Sequence, residues 1–166
     1  MNRVQWEWSR FFAAAICAIV AAGAIGCGAA NDVVTPSQMV ELERDRHTYV
    51  AMTYDGVIVR SSVYSHGERA DVPTAAQEFW VDATRERMRI QQGYALVDEK
   101  EVESADGTRG TRLVFGRDQQ DQPYVYWITI FTTGDHLHII DAGGRQDRFE
   151  EAQDAVEALH ESYEVR

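Results

Sequence analysis

Residues 124–163 read YVYWITIFTTGDHLHIIDAGGRQDRFEEAQDAVEALHESY, and the periodicity changes partway along. Tyr124, Tyr126, Ile128 and Ile130 alternate with Val125, Trp127, Thr129 and Phe131, so both faces of one extended run carry bulk. That pattern belongs to a central strand with at least one face well covered. The polar turn TGD leads to a second β run, HLHIIDA. From Asp147 the spacing becomes helical: Phe149, Ala152, Val156, Leu159 and Tyr163 share a face. Asp147 with Glu150 three residues on predicts a capping box. A tight antiparallel hairpin followed by a helix therefore closes the chain.

Upstream, the same two periods recur. TYVAMTYDGVIVRSSVYS (48–65) predicts two strands around an Asp55-Gly56 turn. Thr74 to Gln92 predicts a helix, with a Thr74/Gln77 capping box and Gly93 as its stop. Its expected packed face holds Phe79, Trp80, Ala83, Arg87 and Ile90. YALVDEKEVES and RGTRLVFG predict two more strands joined by the turn ADGT. Thr35-Pro36 predicts a short helix over TPSQMVELERDRH, with Thr35 as N-cap. Helices segregated from an antiparallel meander give an α+β fold. The expectation is a single antiparallel sheet of about five to six strands flanked by two main helices, spanning 48–166.

This order resembles the PsbP and DcrB fold. The likeness is carried by a long helix ending in Gly93-Tyr94, the ADGTRGTRLVF hairpin with Gly107 and Gly110, the YVYWITIFTTGDHLHIIDA pair and the closing helix. It implies a small sheet-and-helix domain of a kind often borne by signal-peptide-bearing or lipidated proteins. Members of that fold act mostly as accessory or assembly proteins, so the resemblance implies no catalytic residue.

The N-terminus reads as an address. Arg3 and Arg10 precede FFAAAICAIVAAGAIG (11–26), an uncharged run shorter than the ~20 residues a spanning helix needs. AIGC (24–27) then resembles the bacterial lipobox, which implies cleavage before Cys27 and acylation of that residue. Acyl chains contribute ~0.8 kcal/mol per buried CH₂, so several of them hold a domain firmly on a membrane. Residues 1–26 are thus read as a lipoprotein signal peptide and 27–47 as a lipidated tether with a possible short helix. Gly28, rather than Asp, after Cys27 resembles the outer-membrane sorting pattern and places the domain in the periplasm. An envelope protein is the expected partner.

The formal net charge is −11, with 27 acidic and 16 basic residues. Loss of residues 1–26, which hold Arg3, Arg10 and Glu7, makes it −12. Such a domain repels nucleic acid and anionic lipid surfaces. The two cysteines are Cys17 and Cys27, so the folded part has no disulfide, no thiolate ligand and no thiol nucleophile.

Candidate chemistry is sparse. His136 and His138, two apart on a strand, share a face as a bidentate metal site needs. Asp141 would face the other way, so a third ligand would come from His66 or His160. The plainer reading is two polar residues on a solvated strand face. Gly143-Gly144 before a helix suits either an anion cradle or a β-to-α turn through positive φ, and the nearby acids favour the turn. Ser61, Ser62 and Ser65 lack a nucleophile elbow and read as solvated. The acids of DEKEVES read as a solvent face. Trp80, Trp127 and the tyrosines either line a ligand cleft or fill the core. No catalytic residue, metal or other cofactor is assigned, and the expectation is a non-enzymatic module.

Overall fold

The computed structural model describes residues 31–66 and 71–165. Cys17 and Cys27, and with them the signal peptide and acylation site, lie outside the described residues. In chain order the elements are β1 (Asn31–Asp32), β2 (Met39–Arg44), β3 (Thr48–Thr53), β4 (Ile58–Ser65), α1 (Gln77–Gln92), β5 (Ala95–Glu103), β6 (Arg109–Gln119), β7 (Gln122–Thr132), β8 (His136–Arg145), α2 (Gln146–Glu161) and β9 (Glu164–Val165). Seven strands form one antiparallel sheet in the order β2-β3-β4-β8-β7-β6-β5, and β1 pairs with β9 apart from it. The α+β class holds, with more strands than the sequence indicated.

The two helices lie on opposite faces. On one face α2 seals Tyr49, Val59, Trp127, Phe131 and Ile140. On the other, α1 covers Leu113, Phe115, Ile128, Ile130 and Leu137. This split follows from the double alternation along β7: Ile128 and Ile130 serve the α1 side, Trp127 and Phe131 the α2 side. α2 buries Phe149, Ala152, Ala155, Val156, Leu159 and His160, whereas α1 buries only Val81 and Met88. α2 is therefore the stronger clamp, since burial of apolar surface drives packing.

Several local expectations change. Residues 39–44 are strand β2, not helix: good helix formers are overridden by pairing with β3 from Met39–Thr53 to Arg44–Tyr49. The expected tether accordingly ends by Asn31, which is fully buried and paired with Val165. α1 begins at Gln77 after Ala76, with no side-chain cap, and stops at Gly93 in the left-handed conformation (φ 69°) as expected. Its packed face is rotated from the predicted one: Phe79 and Ile90 are 53% and 64% exposed, and Val81 and Met88 point inward. α2 likewise follows Arg145 without a side-chain cap, and Asp147 instead accepts from Arg145 and from the Arg148 N–H.

Gly143 and Gly144 do not form a turn. They lie inside β8 with no positive φ; Tyr126 fills the space a side chain at Gly143 would need, and Val57 crowds that at Gly144. The Tyr126 ring lies over Gly143, its cross-strand partner, and Phe131 covers Gly110 in the same way.

Candidate functional site

A cleft of about 410 Å³ opens between the C-terminal half of α1 and the sheet. Its floor is built by β7 and β8, through Tyr126, Ile128, Ile139 and Asp141. β4 contributes Arg60 and Tyr64; α1 contributes Arg87 and Met88; Tyr94 and Arg117 close one end. These residues meet because their strands place them on the α1 face, two by two along the pleat.

Tyr126 donates its hydroxyl to Asp141 Oδ1 at 2.6 Å. Burial raises the Asp141 pKa, while the Tyr126 hydrogen bond and the Arg60 charge pull it back. Burial also raises Tyr126, with the Asp141 charge adding to the effect, so the phenol stays protonated and keeps donating. At the closed end the Arg117 guanidinium stacks 4.5 Å above the Tyr94 ring and donates to Gln92 O at 3.0 Å. Tyr94 in turn packs against Tyr126 with ring centroids 5.9 Å apart.

Tyr126 and Asp141 are tied to each other, and the described residues that line the cleft include no serine or cysteine. Cations and tyrosines around an aliphatic floor suit recognition of an amphipathic molecule.

The sequence-derived candidates lie elsewhere. His136 and His138 do share a face, but it is the α2 face, opposite the cleft. His138 is fully buried rather than solvated, with Nδ1 2.9 Å from the Tyr163 hydroxyl. Tyr163 arrives from the end of α2, a tertiary contact that strand alternation does not encode. The His136 and His138 ring centroids are 6.1 Å apart, and among the described residues no three His, Cys, Asp or Glu side chains converge as a metal site. His66 stacks beside Trp80, and His160 is buried in α2.

Ser61 is also buried, correcting the solvated reading. It donates to Asn31 Oδ1 and meets Tyr163 Oη at 3.1 Å. Asn31, Ser61, Tyr163 and His138 thus make one buried polar chain, and burial pushes the Tyr163 pKa up to about 12. Of the aromatics, Trp127 is core, under Phe149 and the Arg112 guanidinium, while Tyr64, Tyr94 and Tyr126 line the cleft. Arg112 is nearly buried, donates to Thr129 Oγ1 at 3.1 Å, and lies near His160, Glu157 and Glu161. Of the cleft arginines, only Arg87 was singled out by sequence, on the expected packed face of α1; Arg60 and Arg117 were not.

No protein-family model matches the chain, and no curated protein matches it in sequence. Solved structures do match in shape. LpqN of Mycobacterium tuberculosis, involved in cell envelope biogenesis, aligns with a TM-score of 0.59 at 13% identity over 80% of this chain and 81% of that one. The cyanobacterial PsbP of Synechocystis aligns at 0.54 and 11%, over 82% and 87%. PA94 of Pseudomonas aeruginosa, a protein of unknown function, aligns at 0.52 and 9%, over 78% and 98%. The chain therefore has a PsbP-like fold. Among the described residues no helix is long and apolar enough to cross a membrane.

Proposed function

We propose that this chain is a membrane-anchored accessory lipoprotein of the cell envelope, held by acylated Cys27, that binds a partner rather than transforming a substrate. The observation that carries the reading is the joint between address and fold. AIGC ends at residue 27, and Asn31, only four residues on, is already buried in the β1–β9 pair. Four residues of chain reach at most about 14 Å. The folded domain is thus held close against the bilayer, as an accessory module working beside membrane components would be. LpqN, similar in fold and involved in envelope biogenesis, supports the same setting. Gly28 after Cys27 favours the outer membrane, facing the periplasm, with an envelope protein as partner and no role for nucleic acid.

Expression of the full chain in a bacterial host, followed by membrane fractionation, tests this. Wild type is expected in the membrane fraction and Cys27→Ala in the soluble fraction. A Cys27→Ala chain that stays fully membrane-bound would refute the anchor.

A further inference from the structure

The cleft and the half of the sheet beside it form one continuous surface. Cross-strand register puts Val40, Met52 and Ile58 in one row, which runs on through Gly143 to Tyr126. The next row takes Val50 and Arg60 to Asp141 and Ile128. Among the described residues α1 packs mainly over β5, β6 and β7, and side chains of β2 and β4 on this face stay exposed. Val40, Ile58 and Tyr64 are 46%, 43% and 37% exposed there. An apolar track therefore leads over the sheet into the wall of the cleft.

Guanidiniums stand where the track enters. Arg117 is committed to Tyr94, Gln92 and Gln119. Arg60 and Arg87, like Arg46 and Arg109 elsewhere on the surface, form no ion pair among the described residues, although acids outnumber bases 27 to 16 along the chain; Arg60 acts on Asp141 only as a nearby charge. Arg44, Arg85, Arg89, Arg145 and Arg148 all have carboxylate partners. Asp141, the cross-strand neighbour of Arg60, is turned to Tyr126 instead. Two guanidiniums without an ion pair, beside a cleft whose floor includes Ile128 and Ile139, offer a fork geometry suited to a carboxylate or phosphate.

We infer that this surface binds an amphipathic anion, with a carboxylate or phosphate head on Arg60 and Arg87 and a linear apolar chain laid over Ile139, Ile58 and Met52. Both halves of the ligand are required. The head answers guanidiniums that carry no ion pair, and the chain covers aliphatic surface that is exposed at Ile58 and partly exposed at Met52 and Ile139. A bare anion would leave the track exposed, and a neutral amphiphile would leave both arginines unanswered. Each methylene that is fully buried should tighten binding roughly fourfold. The inference is independent of the anchor, so a Cys27→Ala chain is expected to bind equally well.

The test is calorimetric titration of the full chain in phosphatidylcholine nanodiscs, blanked against empty discs. Decanoate and decyl phosphate are expected to bind saturably at one per chain, and hexanoate more weakly. The double variant Arg60→Gln/Arg87→Gln changes only side chains on the rim and should bind decanoate at least tenfold more weakly. Ile58→Ser should weaken decanoate several-fold while leaving hexanoate nearly unchanged. Discs doped with phosphatidylglycerol should compete with decyl phosphate if the anion is drawn from a bilayer, and should not compete if it is taken from solution. Octyl glucoside binding as tightly as octanoate would overturn the inference. So would inorganic phosphate matching decyl phosphate, a double variant indistinguishable from wild type, or no saturable heat.

Discussion

His160 should make this fold acid-labile well above the range in which carboxylates titrate. It lies in the last turn of α2, is 4% exposed, and donates from Nδ1 to the Val156 carbonyl at 2.8 Å. That bond fixes the tautomer, leaving Nε2 as a buried acceptor without a hydrogen-bond partner. Protonating Nε2 would place a third cation, in the α2 core, near Arg112 and Lys100. Burial, followed by the Arg112 charge, holds the His160 pKa down at about 3, against 6.5 for the free side chain. A base with a depressed folded pKa contributes stability that is complete above its unfolded pKa. That stability is lost as pH falls from 6.5 toward 3, because the unfolded chain takes up the proton and the folded one does not. Between pH 7 and pH 4.5 the loss from this one residue is about 2–3 kcal/mol. For a domain of this size that lowers Tm by roughly 5–15 °C. Urea unfolding of wild type and His160→Phe at pH 7.0, 6.0, 5.0 and 4.5 reads it. His66 is also depressed by burial and acts in the same direction in both proteins, so the difference between them isolates His160. The wild-type curve should fall more steeply, by that 2–3 kcal/mol. Parallel curves would refute the reasoning and mean that His160 reaches water or a proton acceptor in the folded state.

Three other outcomes follow from the packing. Gly143→Ala sets a methyl against the Tyr126 ring and should cost about 1–3 kcal/mol by urea unfolding; in a Tyr126→Ala background most of that cost should vanish, and strict additivity would contradict the aromatic–glycine pairing. Asp141→Asn removes a carboxyl whose folded pKa is raised, so wild type should lose stability relative to the variant as pH rises from the ordinary carboxyl value up to the raised folded one, and the difference should then stay level; a relative gain for wild type across that window would contradict this. Leu159→Ala should cost about 2–5 kcal/mol, whereas Ile90→Ala, on the bare side of α1, should stay within about 0.5 kcal/mol of wild type in the same assay.

What could be read from sequence and what could not divides along physical lines. The β3–β4 hairpin, the meander from β5 to β8 and helix α2 were legible because their periodicities are strong and their turns short: Asp55-Gly56, Asp106-Gly107 and Gly134-Asp135 all fall between strands. β2 was not, since MVELER is as good a helix as a strand until β3 offers it a ladder. The packed face of α1 was misread because Phe79 and Ile90 are apolar yet exposed, and only the sheet decides which side turns inward. His138 and Ser61 were read as solvated because strand alternation marks a face without saying what will cover it. Asn31 and Tyr163, from the two ends of the domain, supply that cover. The cleft was illegible for the same reason. Its arginines, tyrosines and Asp141 come from β4, α1, the link after α1, β6, β7 and β8, and no stretch of chain contains more than a fragment of it.

The most direct test of the central claim is the intact mass of the protein recovered from the membranes of a bacterial host. The account predicts residues 27–166 carrying acyl chains on Cys27. An uncleaved chain, or a cleaved one without lipid, would contradict it and leave the PsbP-like domain without the anchor on which its envelope role depends.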